Sequence, residues 1–323
     1  MPVSERLLTR LLTGETLSGE TLSREMGVTR AAVWKQIERL RGMGFVIESE
    51  GRSGYHLVSC PDSLMEPVVR QGLDTAWAGC RVEWFPVIDS TNRYAKQLAA
   101  EGAPHGTVVL ADQQTAGRGR RGRGWLTPAG EGVALSLILR PDTHPSQVAV
   151  VSLEIAMAGA AAAEAVTGEK AGIKWPNDVI LKGKKVEGIL VEMDADEQTV
   201  HFLVAGIGFN VHQKEFPPEI AQTASSMDLI AGHEVSRAAL VRAFLKGIEE
   251  AEVLRATGRL LEAYRRRSVT IGQKVRVIGT TEAFTGEALD ITQSGSLLVR
   301  DPEGKVREVL AGDVSVRGLM GYV

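Results

Sequence analysis

Between residues 1 and 60 the apolar positions first recur at helical spacing and then alternate. The stretch Ser4 to Leu12 is apolar at Leu7, Leu8, Leu11 and Leu12. Ser18 precedes a segment carrying Leu22 and Met26, and Thr29 is placed to N-cap a third helix with Val33, Ile37 and Leu40 on one face. Between the second and third helices, Met26-Gly27-Val28-Thr29 supplies a glycine for the tight turn of a helix-turn-helix. Phe45 to Glu48 and Tyr55 to Leu57, on either side of Gly51-Arg52-Ser53-Gly54, predict a two-stranded wing. The third helix is then the reader. Thr29, Arg30, Ala31 and Ala32 open it with small residues that permit close approach to a groove. Arg30, Lys35 and Gln36, with Arg52 from the wing turn, offer contacts to phosphates or base edges. A small helical interaction module would share the core pattern, but turn, reader and wing in this order favour DNA.

Pro61 to Pro67 interrupts both periodicities and reads as a linker. Beyond it, strand-like runs (Val108 to Leu110, Val133 to Leu139, Val186 to Val191, Val200 to Val204) alternate with helical ones, notably the alanine-rich Ser152 to Val166. A last helical region, about Ser236 to Arg267, gives way to short strands at Val275 to Val277, Ala288 to Ile291, Leu297 to Val299 and Val314 to Val316, as in a small barrel. The expected fold class is α+β. It comprises a winged helix-turn-helix at 1–60, a mixed α/β body at 64–268 and a small C-terminal β-barrel at 269–323.

Composition narrows the function classes. The chain has 323 residues, 44% hydrophobic and 24% charged, as in an ordinary globular protein with more than one domain. No N-terminal targeting pattern is read, and no run is taken to approach the roughly 20 apolar residues that span a bilayer, so a cytoplasmic protein without membrane contact is expected. Cys60 and Cys80 are too few for a disulfide framework or a zinc site. A net charge of −3 excludes indiscriminate nucleic-acid binding by the whole chain, so any DNA contact must be regional.

Two clusters carry chemistry. Gly117-Arg118-Gly119-Arg120-Arg121-Gly122-Arg123-Gly124-Trp125 alternates backbone that can wrap an anion with guanidinium forks that bind phosphate or carboxylate oxygens. Such tracts also occur in disordered RNA-binding tails, yet this one lies between strands of a folded domain, which favours a loop ordered by ligand. Ile173-Lys174-Trp175-Pro176-Asn177-Asp178-Val179 sets a lysine among apolar neighbours. An ammonium held there can stabilise charge on a carboxylate and an α-phosphate together. The plain alternative is a strand end with a proline turn and a solvated lysine.

Together these clusters resemble the bacterial biotin protein ligases, whose GRGRRG loop and KWPND segment match Gly117 to Gly122 and Lys174 to Asp178. Asp89-Ser90-Thr91-Asn92, Gln114-Thr115-Ala116, Gly188-Ile189-Leu190-Val191-Glu192 and Gly206-Ile207-Gly208-Phe209-Asn210 resemble further pieces of the family pattern, and the N-terminal module resembles the subclass that also represses transcription. The resemblance implies a class II synthetase-like catalytic domain, an SH3-like C-terminal barrel, and biotin held by Ser90, Thr91, Asn92, Gln114, Arg118, Gly119, Arg120, Lys174 and Gly188, with Arg118 and Arg120 also taking part in catalysis. Arg118, Gly119 and Arg120 would close over the adenylate. Lys174 would be the catalytic lysine as the biotin carboxylate attacks the α-phosphorus of ATP and pyrophosphate leaves with Mg²⁺. Gly117, Arg121, Trp125, Asn177, Asn210 and a turn at Gly206 and Gly208 would lie near the nucleotide. Glu187 departs from the family, which usually has a small residue there, and bears on the packing of the pocket wall. The implied partners are a biotin carboxyl carrier protein, operator DNA and a second copy of the chain, paired when ligand binds. A pure transcription factor would have no use for the arginine loop and lysine; a lipoate ligase would share the catalytic fold but not this pairing of motifs with a winged helix.

Overall fold

The computed structural model describes residues 2–49, 51, 53–279, 283–311 and 315–318. It divides into two compact units, one to Leu73 and the other from Asp74. In the first, α1 (Val3–Leu11), α2 (Gly19–Met26) and α3 (Arg30–Gly42) enclose Leu7, Leu8, Leu11, Leu22, Met26, Val33, Ile37 and Leu40. The caps are those the sequence offers: Ser18 Oγ accepts from Thr21 N at 3.0 Å and Thr29 Oγ1 from Ala32 N at 3.2 Å. Gly27 takes the left-handed conformation that ends α2, φ 69°, where an L side chain would be strained. The wing is an antiparallel pair, β1 (Val46–Ser49) and β2 (Tyr55–Ser59), pinned to the segment between α1 and α2 by reciprocal bonds between Leu17 and Tyr55 at 2.9 and 2.8 Å. A short helix, α4 (Glu66–Arg70), follows. Pro67 stands at its start, where a missing N–H costs nothing, so the expected linker is partly helical.

The second unit is built on a seven-stranded sheet in the order β3-β4-β5-β9-β8-β7-β6. Its strands are β3 (Arg81–Phe85), β4 (Thr107–Ala111), β5 (Gly132–Leu139), β6 (Ala171–Lys174), β7 (Asp178–Leu181), β8 (Lys184–Ala195) and β9 (Val200–Asn210). Only β3 and β4 run parallel. Side chains alternate across β9 and sort its two faces. Phe202 and Val204 join Ala95, Leu98 and Ala99 of α5 (Thr91–Ala100) in one core cluster. Phe209 points the other way and meets Phe244 edge-on at 5.9 Å.

Phe244 lies on α8 (Arg237–Ala256), which is preceded by the short α7 (Met227–Ala231) and packs on α6 (Val148–Thr167). The two long helices come close because Gly247 brings its backbone against Ala158, to which an added Cβ would stand 3.2 Å. Contrary to the expectation from the sequence, Pro145–Thr167 is long and apolar enough to cross a membrane by length and composition. It is apolar on nearly every side because it is largely buried between the sheet and α8.

After α9 (Leu260–Arg267), a five-stranded antiparallel sheet follows in the order β13-β12-β11-β10-β14. The strands are β10 (Lys274–Ile278), β11 (Ala283–Ile291), β12 (Leu297–Arg300), β13 (Val306–Val309) and β14 (Ser315–Gly318). Val275, Val277, Ala288, Ile291, Leu297, Val299, Val309 and Val316 form its core. It is fastened to the larger sheet through Trp175, whose ring is buried: Nε1 donates to Gly295 O at 3.1 Å and the backbone N to Thr270 Oγ1 at 2.9 Å.

Candidate active site and reading helix

A cavity of about 880 Å³ opens on the even-numbered face of β8 and β9. Its floor is made by absence. Gly188 and Gly208 are register partners across the ladder, and Gly206 lies two residues along on the same face. A Cβ at Gly208 would overlap the Trp125 indole, one at Gly188 would come within 2.8 Å of that ring, and one at Gly206 would run into the Asn92 carboxamide. The expected turn at Gly206 and Gly208 is therefore corrected: both sit inside β9, and what they supply is room on a flat strand.

Asn92 and its neighbours form a continuous hydrogen-bond chain at the start of α5. Gln114 Oε1 accepts from Thr91 N at 2.9 Å and from Thr91 Oγ1 at 3.1 Å, while Gln114 Nε2 donates to Thr127 Oγ1 at 3.3 Å. Ser136 Oγ lies 2.5 Å from Asn92 Oδ1 and 2.8 Å from Thr91 Oγ1, and Asn92 Nδ2 donates to Glu192 Oε2 at 2.9 Å. Every amide end has a partner, so the carboxamides of Asn92 and Gln114 are oriented by the network. Ser90 occupies the N-cap position of α5, but its hydroxyl makes no capping bond.

The arginine loop closes on itself. Trp125 N donates to Gly117 O at 2.9 Å and Gly119 N to Arg123 O at 2.7 Å. Between them runs a 3-10 turn in which Arg121 takes a left-handed backbone, φ 56°, a conformation that costs a non-glycine residue energy. Gly117 lies at the loop base, where an added Cβ would strike the Trp125 carbonyl, and it lines no part of the cavity. Arg120 Nη1 donates to Asn177 Oδ1 at 2.8 Å and Arg120 Nη2 to Ala311 O; Asn177 Nδ2 donates in turn to Ile189 O at 2.8 Å. Burial lowers the Arg120 guanidinium from its ordinary range, against the pull of Asp178.

The KWPND segment is the tight connection of the β6–β7 hairpin. Lys174, 6% exposed, ends β6 opposite Asp178, which starts β7. Of the residues singled out from the sequence, Ser90, Thr91, Asn92, Gln114, Arg118, Gly119, Arg120, Arg121, Trp125, Lys174, Asn177, Gly188 and Asn210 all border this one cavity.

In the first unit, the N-cap Thr29 and, on α3, Arg30, Ala31 and Lys35 are exposed, with Ala32 and Gln36 partly so; Arg52 lies outside the described residues. Trp34 stands among them with 56% of its surface exposed, an indole that the sequence reading passed over.

With this geometry established, comparison with known proteins decides the family. Residues 84–210 match the Biotin/lipoate A/B protein ligase family, residues 4–56 an HTH domain and residues 270–317 the Biotin protein ligase C terminal domain. The chain is 37% identical over 310 residues, 94% of each chain, to the Bifunctional ligase/repressor BirA of Bacillus spizizenii. To the protein of the same name in Escherichia coli it is 30% identical over 316 residues, 97% of this chain and 96% of that one. The chain belongs to the biotin protein ligase family. A solved structure, the biotin protein ligase from Aquifex aeolicus in complex with biotin and ATP, is similar with a TM-score of 0.64 and 30% identity, covering 74% of this chain and 99% of that one.

Three features of this family member were given no role from the sequence. Lys185 borders the cavity with its Nζ 2.5 Å from Asp178 Oδ1 and 5.4 Å from the Trp125 ring centroid. It went unread because it sits in a basic run, Lys182 to Lys185, that resembles a solvated turn. Val316 and Gly318 of β14 also border the cavity, a contact across more than a hundred residues that no local pattern announces. Glu192 gathers Asn92, Lys96 and Arg118. Burial pushes the Glu192 carboxyl up, but the hydrogen bonds of Lys96 and Asn92 and the charges of Lys96 and Arg118 outweigh it and hold the group below the usual carboxylate range.

Glu187 is corrected. It pairs with Phe209, on the face turned toward the helices, so it lies beneath α6 and forms no part of the pocket wall. It is fully buried, and neither carboxylate oxygen has a hydrogen-bond partner among the described residues.

Proposed function

We propose that this protein is an ATP-dependent biotin protein ligase and a biotin-responsive transcriptional repressor. The observation that carries the first half is a single cavity that combines an oriented amide and hydroxyl network (Thr91, Asn92, Gln114) with a cationic loop and the lysines Lys174, Lys184 and Lys185. The network suits a neutral ureido ring, which needs fixed donors and acceptors. The arginines and lysines suit a carboxylate and a triphosphate brought together. Ser90 and Gly188 complete the biotin contacts in this reading. Arg121, Trp125, Asn177 and Asn210 serve the nucleotide, and Gly117, at the base of the loop, lets it fold back on Trp125.

A biotin carboxylate oxygen attacks the α-phosphorus and the bond to the β-phosphate breaks, so that pyrophosphate departs and biotinyl-5'-AMP remains. Lys174, with Arg118 and Arg120, offsets the negative charge that builds at the α-phosphate. The unprotonated amine of a carrier lysine next attacks the mixed-anhydride carbonyl. AMP leaves with the bonding pair, and the amide nitrogen loses its proton to solvent. Among the described residues no group of three or more His, Cys, Asp or Glu side chains is placed to hold a metal ion. Mg²⁺ would be held mainly by the ATP phosphates, whose oxygens suit a hard cation. ATP and DNA as reactant and partner accord with a cytoplasmic protein. A biotin carboxyl carrier protein is the acceptor.

The repressor half rests on the exposed residues of α3, a helix N-capped by Thr29 and followed by a wing. A pair of winged helices, brought together by ligand-induced dimerisation, would read two half-sites of an operator. Pyrophosphate release with biotin and with lipoate tests the ligase assignment: release with lipoate alone overturns it. A gel shift on DNA upstream of the protein's own coding sequence, with and without biotin and ATP, tests the repressor assignment.

A further inference from the structure

Glu192 is bonded to residues of two different parts of the site through one oxygen. Its Oε2 accepts from Asn92 Nδ2 at 2.9 Å, and Arg118 Nη2 lies 3.4 Å from the same atom. Its Oε1 accepts from Lys96 Nζ at 2.6 Å. The three donors differ in rigidity. Asn92 is buried and held at its other end by Ser136 Oγ, 2.5 Å from Oδ1; Lys96 comes from the same helix, α5; Arg118 belongs to the glycine-rich loop and leaves 45% of its side chain exposed. Glu192 itself stands on β8, paired with Val204 in the middle of the sheet, so it is a fixed post.

A long, half-exposed ion pair is weak and exchanges easily. The shorter Lys96 and Asn92 bonds keep the carboxylate oriented when Arg118 leaves. A phosphate presents better-matched oxygens to a guanidinium than one shared carboxylate oxygen does.

Building on the ligase reading, we propose that Glu192 is a positioning residue with two effects. It fixes the amide direction of Asn92 for biotin, and it holds Arg118 over the pocket until an anionic nucleotide takes the guanidinium from it. Loop closure is then an exchange of anions, carboxylate for phosphate, without a free guanidinium in between.

The test uses the full chain as wild type, Glu192→Gln, Glu192→Ala, Arg118→Ala and the Glu192→Gln/Arg118→Ala double variant, each checked by thermal unfolding. In the absence of ligand, amide exchange of 117–124 should be faster in Glu192→Gln by at least about threefold, in line with a weak pair. Arg118→Ala should give the same increase and the double variant no further one, because both changes break one contact. Glu192→Gln keeps an acceptor for Asn92, so biotin affinity should stay within about threefold, whereas Glu192→Ala should weaken it by about tenfold, the worth of a lost hydrogen bond. Additive loop loosening in the double variant, or unchanged exchange in Glu192→Gln, overturns the holding of Arg118. Equal biotin affinity in Glu192→Ala and wild type overturns the orientation of Asn92. Wild-type pyrophosphate release with biotin is measured alongside. Its absence would remove the ligase reading, while the exchange comparison would still decide whether Glu192 holds the loop.

Discussion

The carboxylate of Glu187 lies against the backbone of Gly159, so closely that a Cβ on that glycine would overlap both of its oxygens. Strand and helix therefore share one small volume: the bare position on α6 exists because β8 sends an acidic side chain into it. With no hydrogen-bond partner there, the carboxyl is pushed well above its ordinary range by burial and by the nearby charge of Asp178, against the pull of Lys185.

That arrangement has a definite pH sign. A carboxyl raised in the folded state contributes stability that is fully present below its unfolded value, about 4.3, and is lost as pH rises through the folded value. Glu187→Ala should therefore gain on the wild type in thermal midpoint as pH goes from 5 to 8, and exceed it at pH 8. Parallel curves for the two proteins across that range would contradict the burial of an unpartnered carboxyl.

Lys174 and Lys185 are both placed to meet an anion, so each is tested separately. Lys174→Ala should slow single-turnover adenylate formation by at least about a hundredfold, the loss of a preorganised charge worth about 3 kcal/mol. Lys185, tied to Asp178 and over Trp125, should show a loss of similar size in Lys185→Ala. Near-normal single-turnover rates in either variant would remove that lysine from the charge-stabilising role.

Gly208→Ala places a methyl group where the Trp125 ring stands. The ring is carried by a loop and can shift, so the thermal midpoint should fall only slightly while adenylation slows by at least about tenfold, the scale of a misplaced binding surface. A large drop in thermal stability with activity intact would show that the ring is a core element instead.

Repression should follow dimerisation. Sedimentation with biotin and ATP should show a dimer, and operator affinity should rise with it. Arg30→Ala and Lys35→Ala should each weaken binding across sequences, with a salt slope shallower by about one for each phosphate contact removed. Trp34→Ala should weaken binding at a fixed salt slope, since an indole carries no charge. Operator binding equally tight without ligand would break the coupling and leave the ligase assignment standing.

Much of the fold was legible in the residues. Ser18, Thr29 and Gly27 carry local signals, so the helices of the first unit follow their caps closely. The two chemical clusters could be recognised because their residue types are unusual, and the cavity brings them together. Other parts depend on distant neighbours. Gly206 and Gly208 look like a turn in one dimension because the reason for them, an indole from residue 125 and an amide from residue 92, is remote in sequence. The strand β13 has only four residues, two of them charged, and Val309 is its one buried residue, so pairing with β12 and not its own pattern makes it a strand. Glu187 was placed on the wrong face for want of the register that pairs it with Phe209.

The glycine floor also shapes how this site can change over generations. At Gly188, Gly206 and Gly208 every possible replacement adds atoms, and each would collide with a ring or an amide already in place. Drift in the floor is therefore one-directional and has no conservative step. The rim is different, because its arginines and lysines can exchange among side chains of similar reach. New ligand preferences in such a site would arise at the rim first, and a change in the floor would have to wait for residue 92 or 125 to give way.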